Sequence, residues 1–161
     1  MEKETPRDSL VFRLFVYGTL KRGFSNHERF CANALSVEEA MAFGDLYDLP
    51  FGFPALVVPA ASIQAVGTTD YKFDAAEQQR LDIPERPSAS EPRAYGEMFT
   101  FDDPEARLPE LDHLEGFDPE GQSLYRRVLI PVEAATESTL AWAYSIEKPT
   151  GIHLPDGRWP S

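Results

Sequence analysis

The chain has 161 residues, of which 42% are hydrophobic and 12% aromatic, enough for one domain (1–161) with a single sizeable core. Its 27 acidic residues against 15 basic ones give a formal charge of -12, which repels phosphate backbones and anionic lipid surfaces and excludes nucleic acid and membranes as expected partners. A single cysteine excludes an internal disulfide and a cysteine-rich metal site, and "MEKETPRDS" has no apolar leader, so a cytoplasmic protein is expected.

In chain order, "LVFRLFVYGTL" (10–20) is rich in β-branched and aromatic residues and predicts a buried strand that ends abruptly at Gly18. After it, Ser25 or Asn26 is a candidate cap for a short helix carrying Phe30, Ala34 and Leu35. From Met41 onward, short apolar or alternating runs separated by Gly and Pro predict a mostly antiparallel sheet or barrel: "AFGDLYDL", "ALVVPA", "AVGTTDYKF", "AYGEMFTF", "YRRVLIPVEA" and "TLAWAYSIE". Between them, the polar, proline-bearing 75–92 segment predicts a solvated loop or lid. The core is expected over about 10–148, with 1–9 and 149–161 as peripheral tails, and the aromatics near Trp159 as a patch that could support a dimer rather than a monomer.

One helix is well marked in "DDPEARLPELDHLEGF" (102–117): Asp103 can cap, Pro104 suits the first helical position, Pro109 can restart the helix and Gly116 suits the left-handed position past its end. At about 100° per residue, Leu108, Leu111 and Leu114 form an apolar stripe, and Glu115 projects onto that same stripe while Asp112 sits at its edge. A carboxyl desolvated on a core-facing stripe, at the partially negative end of a helix, has a raised pKa and suits general acid or base work. The plainer alternative pairs Glu115 with a backbone N–H or with Arg126.

Other candidates carry less. Gly18 and Gly23 have phosphate-loop spacing, but Phe24 and Ser25 stand where Lys and Ser/Thr are required. His27, His113 and His153 lack metal-ligand spacing, so no metal site is expected, and Cys31 reads as a small core residue unless paired with His27.

The two unusual stretches, "VYGTLKRG" with "NH" at 16–27 and "LDHLEGF" at 111–117, resemble the γ-glutamylcyclotransferase-like superfamily, and the first is most similar to its γ-glutamylamine cyclotransferase branch. "FGDLYDLPFGFPALV", "YGEMFTF", "YRRVLIPV" and "AWAY" follow in the same order, so the resemblance covers about 12–146. It implies an α+β fold, a small mixed β-barrel with a few flanking helices. It also implies a cofactor-free enzyme that cyclises a small-molecule γ-glutamyl substrate to 5-oxoproline and releases an amine, such as the lysine of a γ-glutamyl-ε-lysine isopeptide, or an amino acid. By the same resemblance Tyr17, Gly18, Thr19 and Leu20 bind the glutamyl group, Glu115 is the acid/base, and Tyr125 and Tyr144 lie near the pocket.

The residues suit that chemistry. Amide N–H groups of the Gly18–Leu20 turn can grip a carboxylate or oxyanion, and Lys21 and Arg22 either add positive potential at the mouth or form a solvated loop tip. Two alternatives stay open: removal of a γ-glutamyl protecting group in a biosynthetic pathway, and a non-catalytic binder of small carboxylates on the same fold.

Overall fold

The computed structural model describes residues 11–50, 52–85, 91–135, 137–148 and 151–160; the expectations for 1–9 and for part of the 75–92 segment lie outside them. The run predicted as the first strand forms β1 (Phe12–Val16), followed by the short α1 (His27–Cys31), β2 (Ser36–Phe43), β3 (Asp45–Asp48), β4 (Pro54–Val57) and β5 (Ala65–Val66). Then come α2 (Tyr71–Arg80), β6 (Arg93–Phe101), α3 (Pro104–Glu115), β7 (Arg126–Ala134), β8 (Ser138–Ser145) and β9 (Ile152–Leu154).

The main sheet runs β2-β6-β1-β8-β7-β5, and a further pairing of β2 with β7 closes five of its strands into a mixed barrel. Closure works because β7 divides one edge: Val132 to Ala134 pair with β2, while Val128 and Leu129 pair with β5. β1 lies antiparallel to β6 and parallel to β8, the one departure from antiparallel order within the barrel. A smaller sheet, β4-β3-β9, packs beside it.

Both faces of β1 are buried, which is why its sequence reads as a continuous apolar run. Phe12, Leu14 and Val16 join Phe99, Phe101, Leu108, Leu111 and Trp142 beneath the helices. Phe15 and Tyr17 join Met98, Val128, Ile130 and the alanines 40, 42, 94, 141 and 143 from the barrel strands, with Leu46, Leu56 and Leu154 of the smaller sheet. The alanines leave room for the two aromatic rings in a barrel this narrow. Each large side chain fully buried here contributes roughly 1.5–3 kcal/mol of hydrophobic stabilisation.

Five expectations are corrected. The helix expected to carry Ala34 and Leu35 ends at Cys31; Leu35 is exposed, and Ser36 starts β2 because the chain there pairs with β6. The run "AVGTTDYKF" is strand only at Ala65–Val66, and its Tyr71–Phe73 form the first turn of α2 beyond the Asp70 cap. Residues 75–80 are not a solvated loop: they complete α2, which Asp70 caps through its carboxylate to the Phe73 N–H, and Ala75, Glu77 and Gln78 are buried. Pro109 does not restart α3, which runs unbroken from Pro104 to Glu115; Asp103 precedes it without a side-chain cap bond and instead holds Arg107. The C-terminal residues are more than a covering tail, since β9 completes the smaller sheet, and Trp159 is half-buried with its indole N–H donating to Asp48 at 3.0 Å. Among the described residues no helix is long and apolar enough to cross a membrane.

Candidate active site

β1 ends where its chain turns away from β6, and the turn from Tyr17 to Leu20 becomes one wall of a cavity of about 350 Å³. Three contacts hold the turn. The Lys21 N–H donates to the Gly18 carbonyl, the Asn26 N–H to the Thr19 carbonyl, and Asn26 Nδ2 to Thr19 Oγ1 at 2.9 Å. Asn26 therefore clamps the turn to the start of α1 rather than capping the helix with its side chain. Among the described residues, no acceptor meets the amide N–H groups of Gly18, Thr19 or Leu20. Gly18 is needed for closeness: a Cβ there would stand 2.8 Å from the Pro54 ring, which closes the cavity beside it.

The opposite wall is the end of α3. Gly116, at φ 72°, terminates the helix in the left-handed conformation and returns its N–H to the Asp112 and His113 carbonyls, so the last turn is fixed with Leu114 and Glu115 facing the cavity. Burial against Leu114 and the tyrosines, with Asp112 as a nearby negative charge, pushes the Glu115 carboxyl up to about 7. No hydrogen-bond donor among the described residues engages that carboxyl, and Arg126 is not its partner.

All three predicted tyrosines line the cavity, but each hydroxyl proton is already committed. Tyr17 donates to the Tyr144 carbonyl at 2.5 Å, Tyr125 to the Pro54 carbonyl at 2.7 Å and Tyr144 to Asp112 Oδ1 at 2.6 Å. They offer ring faces and hydroxyl oxygens rather than free donors. Burial raises the pKa of each, so the hydroxyls stay protonated at neutral pH.

Behind Glu115 lies an ionic network that sequence reasoning missed. The fully buried Arg127 grips Asp112 with two bonds, Nε to Oδ1 at 2.8 Å and Nη2 to Oδ2 at 3.0 Å, and reaches Asp74 of α2 at 2.9 Å and the Thr68 carbonyl at 3.0 Å. Asp74 in turn accepts from the Thr68 N–H and hydroxyl, both at 2.9 Å. The network ties α2 and β7 to α3 and, through Asp112, sets the Tyr144 ring at the cavity floor. The signal lies in the strand period: Arg127 alternates with Tyr125 and Leu129 onto the buried face, and its neighbour Arg126 does not.

Lys21 and Arg22 do not face this cavity. Lys21 Nζ donates to the Trp159 carbonyl and Arg22 pairs with Glu97, both lining a separate, more open hollow. Cys31 is buried with its thiol pushed up to about 12 by burial, and His27 Nδ1 meets the Leu20 carbonyl, so the two form no reactive pair. Among the described residues no group of three or more His, Cys, Asp or Glu side chains is placed to hold a metal ion.

The closed five-strand mixed barrel with its three helices matches the α+β fold of the γ-glutamylcyclotransferase-like proteins. The family model described as "Gamma-glutamyl cyclotransferase, AIG2-like" matches residues 14–95 and 86–161, and the chain belongs to that family. Among solved structures, YkqA from Bacillus subtilis is similar at TM-score 0.57 and 21% identity over 92% of this chain, which spans only 39% of that protein. An aig2-like protein from Mus musculus is similar at TM-score 0.54 and 20% identity, covering 87% of this chain and 80% of its own. The uncharacterized protein PH0828 from Pyrococcus horikoshii, at TM-score 0.53 and 16% identity, covers 92% and 89%. These likenesses are of fold. No curated protein sequence matches the chain.

Proposed function

We propose that this cavity cyclises a small γ-glutamyl amide, releasing 5-oxoproline and the amine. The observation that supports it best is the pairing of unengaged turn N–H groups with a carboxyl poised near neutrality across one cavity. Family membership supports the same chemistry.

The substrate carries its own nucleophile. Its α-amine nitrogen attacks the γ-carbonyl carbon, a C–N bond forms, and the carbonyl oxygen becomes an oxyanion. The reaction is already intramolecular, so holding the chain folded for this closure contributes only the rotor freedom of a glutamyl-length chain, about 2 kcal/mol. The N–H groups of Gly18, Thr19 and Leu20 serve the α-carboxylate and the developing oxyanion. Glu115, ionised, accepts the proton that the attacking nitrogen sheds and then, protonated, passes it to the departing nitrogen as the old amide bond breaks. A carboxyl near pH 7 populates both states, so one group suffices for both transfers. The aromatic floor of Tyr17, Tyr125 and Tyr144 excludes water from the ring-closing atoms.

The test is release of 5-oxoproline from a panel of γ-glutamyl amides, with Glu115→Gln as control. Product from the native protein and its loss in a folded Glu115→Gln variant are expected; an active variant would remove Glu115 from this role.

A further inference from the structure

Besides the turn and Glu115, the cavity has an apolar lining. Phe53, Leu114, Leu124 and Tyr125 line it, with the Phe53 and Tyr125 rings 6.3 Å apart, and Leu124 is held 54% exposed. Among the described residues, no Lys, Arg or His lines the cavity. Of the cations near the lining residues along the chain, Lys21 and Arg22 face the separate hollow, Arg13 is engaged with Thr139 and Glu137, and Arg126 does not line the cavity. Of the other polar side chains there, Asn26 has its Nδ2 on Thr19 Oγ1, and the three tyrosine hydroxyls donate to the Tyr144 carbonyl, the Pro54 carbonyl and Asp112.

A γ-glutamyl substrate brings one carboxylate of its own, and the turn's N–H groups answer it. If the departing group is an amino acid or an ε-linked lysine, it brings a second carboxylate into an apolar surround that also holds Glu115, on a chain of net charge -12. A charge desolvated there without a partner is costly, whereas an apolar amine covers Phe53, Leu114 and Leu124 favourably.

Resting on the cyclotransferase reading, we infer that the departing group is an apolar amine without a carboxylate, of the alkylamine or arylalkylamine class, and that Phe53, Leu114 and Leu124 select it. At about 350 Å³ the cavity is at the small end of ligand sites, which span roughly 300–1,000 Å³, so a compact amine fits the whole substrate.

The experiment compares matched pairs differing only in that carboxylate: γ-glutamyl-phenethylamine against γ-glutamyl-phenylalanine, and γ-glutamyl-isoamylamine against γ-glutamyl-leucine. Release of 5-oxoproline should be about tenfold or more faster, as kcat/KM, for the amine of each pair. Leu124→Arg, an exchange at an exposed position, supplies a cation and should narrow that ratio, with the narrowing weakened by salt. Calorimetric binding of the same pairs to Glu115→Gln reads the preference without turnover. Equal or better use and binding of the amino-acid partner would overturn the inference while leaving the cyclotransferase reading intact. Tighter binding of the amine with no 5-oxoproline from any substrate would overturn that reading and leave the preference standing.

Discussion

Replacing Glu115 by Gln should change stability in a pH-dependent way whose sign follows from burial. The native carboxyl is raised from 4.5 to about 7, so the folded state holds its proton over a range where the unfolded chain has lost it. Below the unfolded pKa both states are neutral there, and the carboxyl carries no penalty. As pH rises from that value to about 7 the unfolded chain ionises while the folded carboxyl stays protonated, so stability falls through this window and levels off above it, where the folded protein carries the charge in its desolvated site. A shift of this size corresponds to about 3 kcal/mol at 1.36 kcal/mol per unit, reduced to about 1–3 kcal/mol by water reaching the cavity. Gln is neutral throughout. The variant should therefore match the native protein at pH 4 and exceed it by that amount at pH 9, a rise of roughly 3–10 °C in Tm for a chain of this length. Urea unfolding of both proteins from pH 4 to 9 measures the difference directly, and groups that titrate alike in the two cancel. A difference that stays constant with pH would refute the placement of a desolvated carboxyl at this site.

Three more outcomes follow from the geometry. Gly18→Val drives side-chain atoms into the Pro54 ring, whose carbonyl holds Tyr125, so steady-state kinetics should show a raised KM with circular dichroism preserved; an unchanged KM would count against the turn as the substrate's grip. Arg127→Met strands Asp74 and Asp112 as uncompensated buried charges and should cost about 3–5 kcal/mol in urea unfolding, with part regained on adding Asp74→Asn and Asp112→Asn. With its thiol up to about 12 and enclosed in the core, Cys31 should resist a thiol reagent at pH 8 in the native protein and react at once in denaturant.

Strands β1, β3, β4, β6, β7 and β8 and the α3 helix with its terminal glycine were legible because each rests on local pattern: apolar runs, a proline at the first turn, a glycine past the last; the 100° stripe carried Glu115 inward, whereas its pairing with the Gly18 turn came from the family resemblance. What escaped depends on partners distant in sequence. α2 reads as polar loop because its buried face consists of Ala75 and of Asp74, Glu77 and Gln78, whose side-chain oxygens accept from Thr68, Arg127, Arg80 and the Arg13 N–H. Arg127 looks like a strand cation until Asp112 and Asp74, from two separate helices, converge on it. Lys21 and Arg22 sit beside the turn in sequence, yet the chain reverses after Leu20 and carries them to the other hollow.

The most direct test of the central claim is quantitation of 5-oxoproline from purified protein given γ-glutamyl amides at pH 7, run beside Glu115→Gln. Product should appear from the native chain at a rate the variant loses by about 100-fold or more while still binding substrate, the range that general acid and base catalysis supplies. Equal rates from the two proteins, or no product from any γ-glutamyl amide, would contradict it.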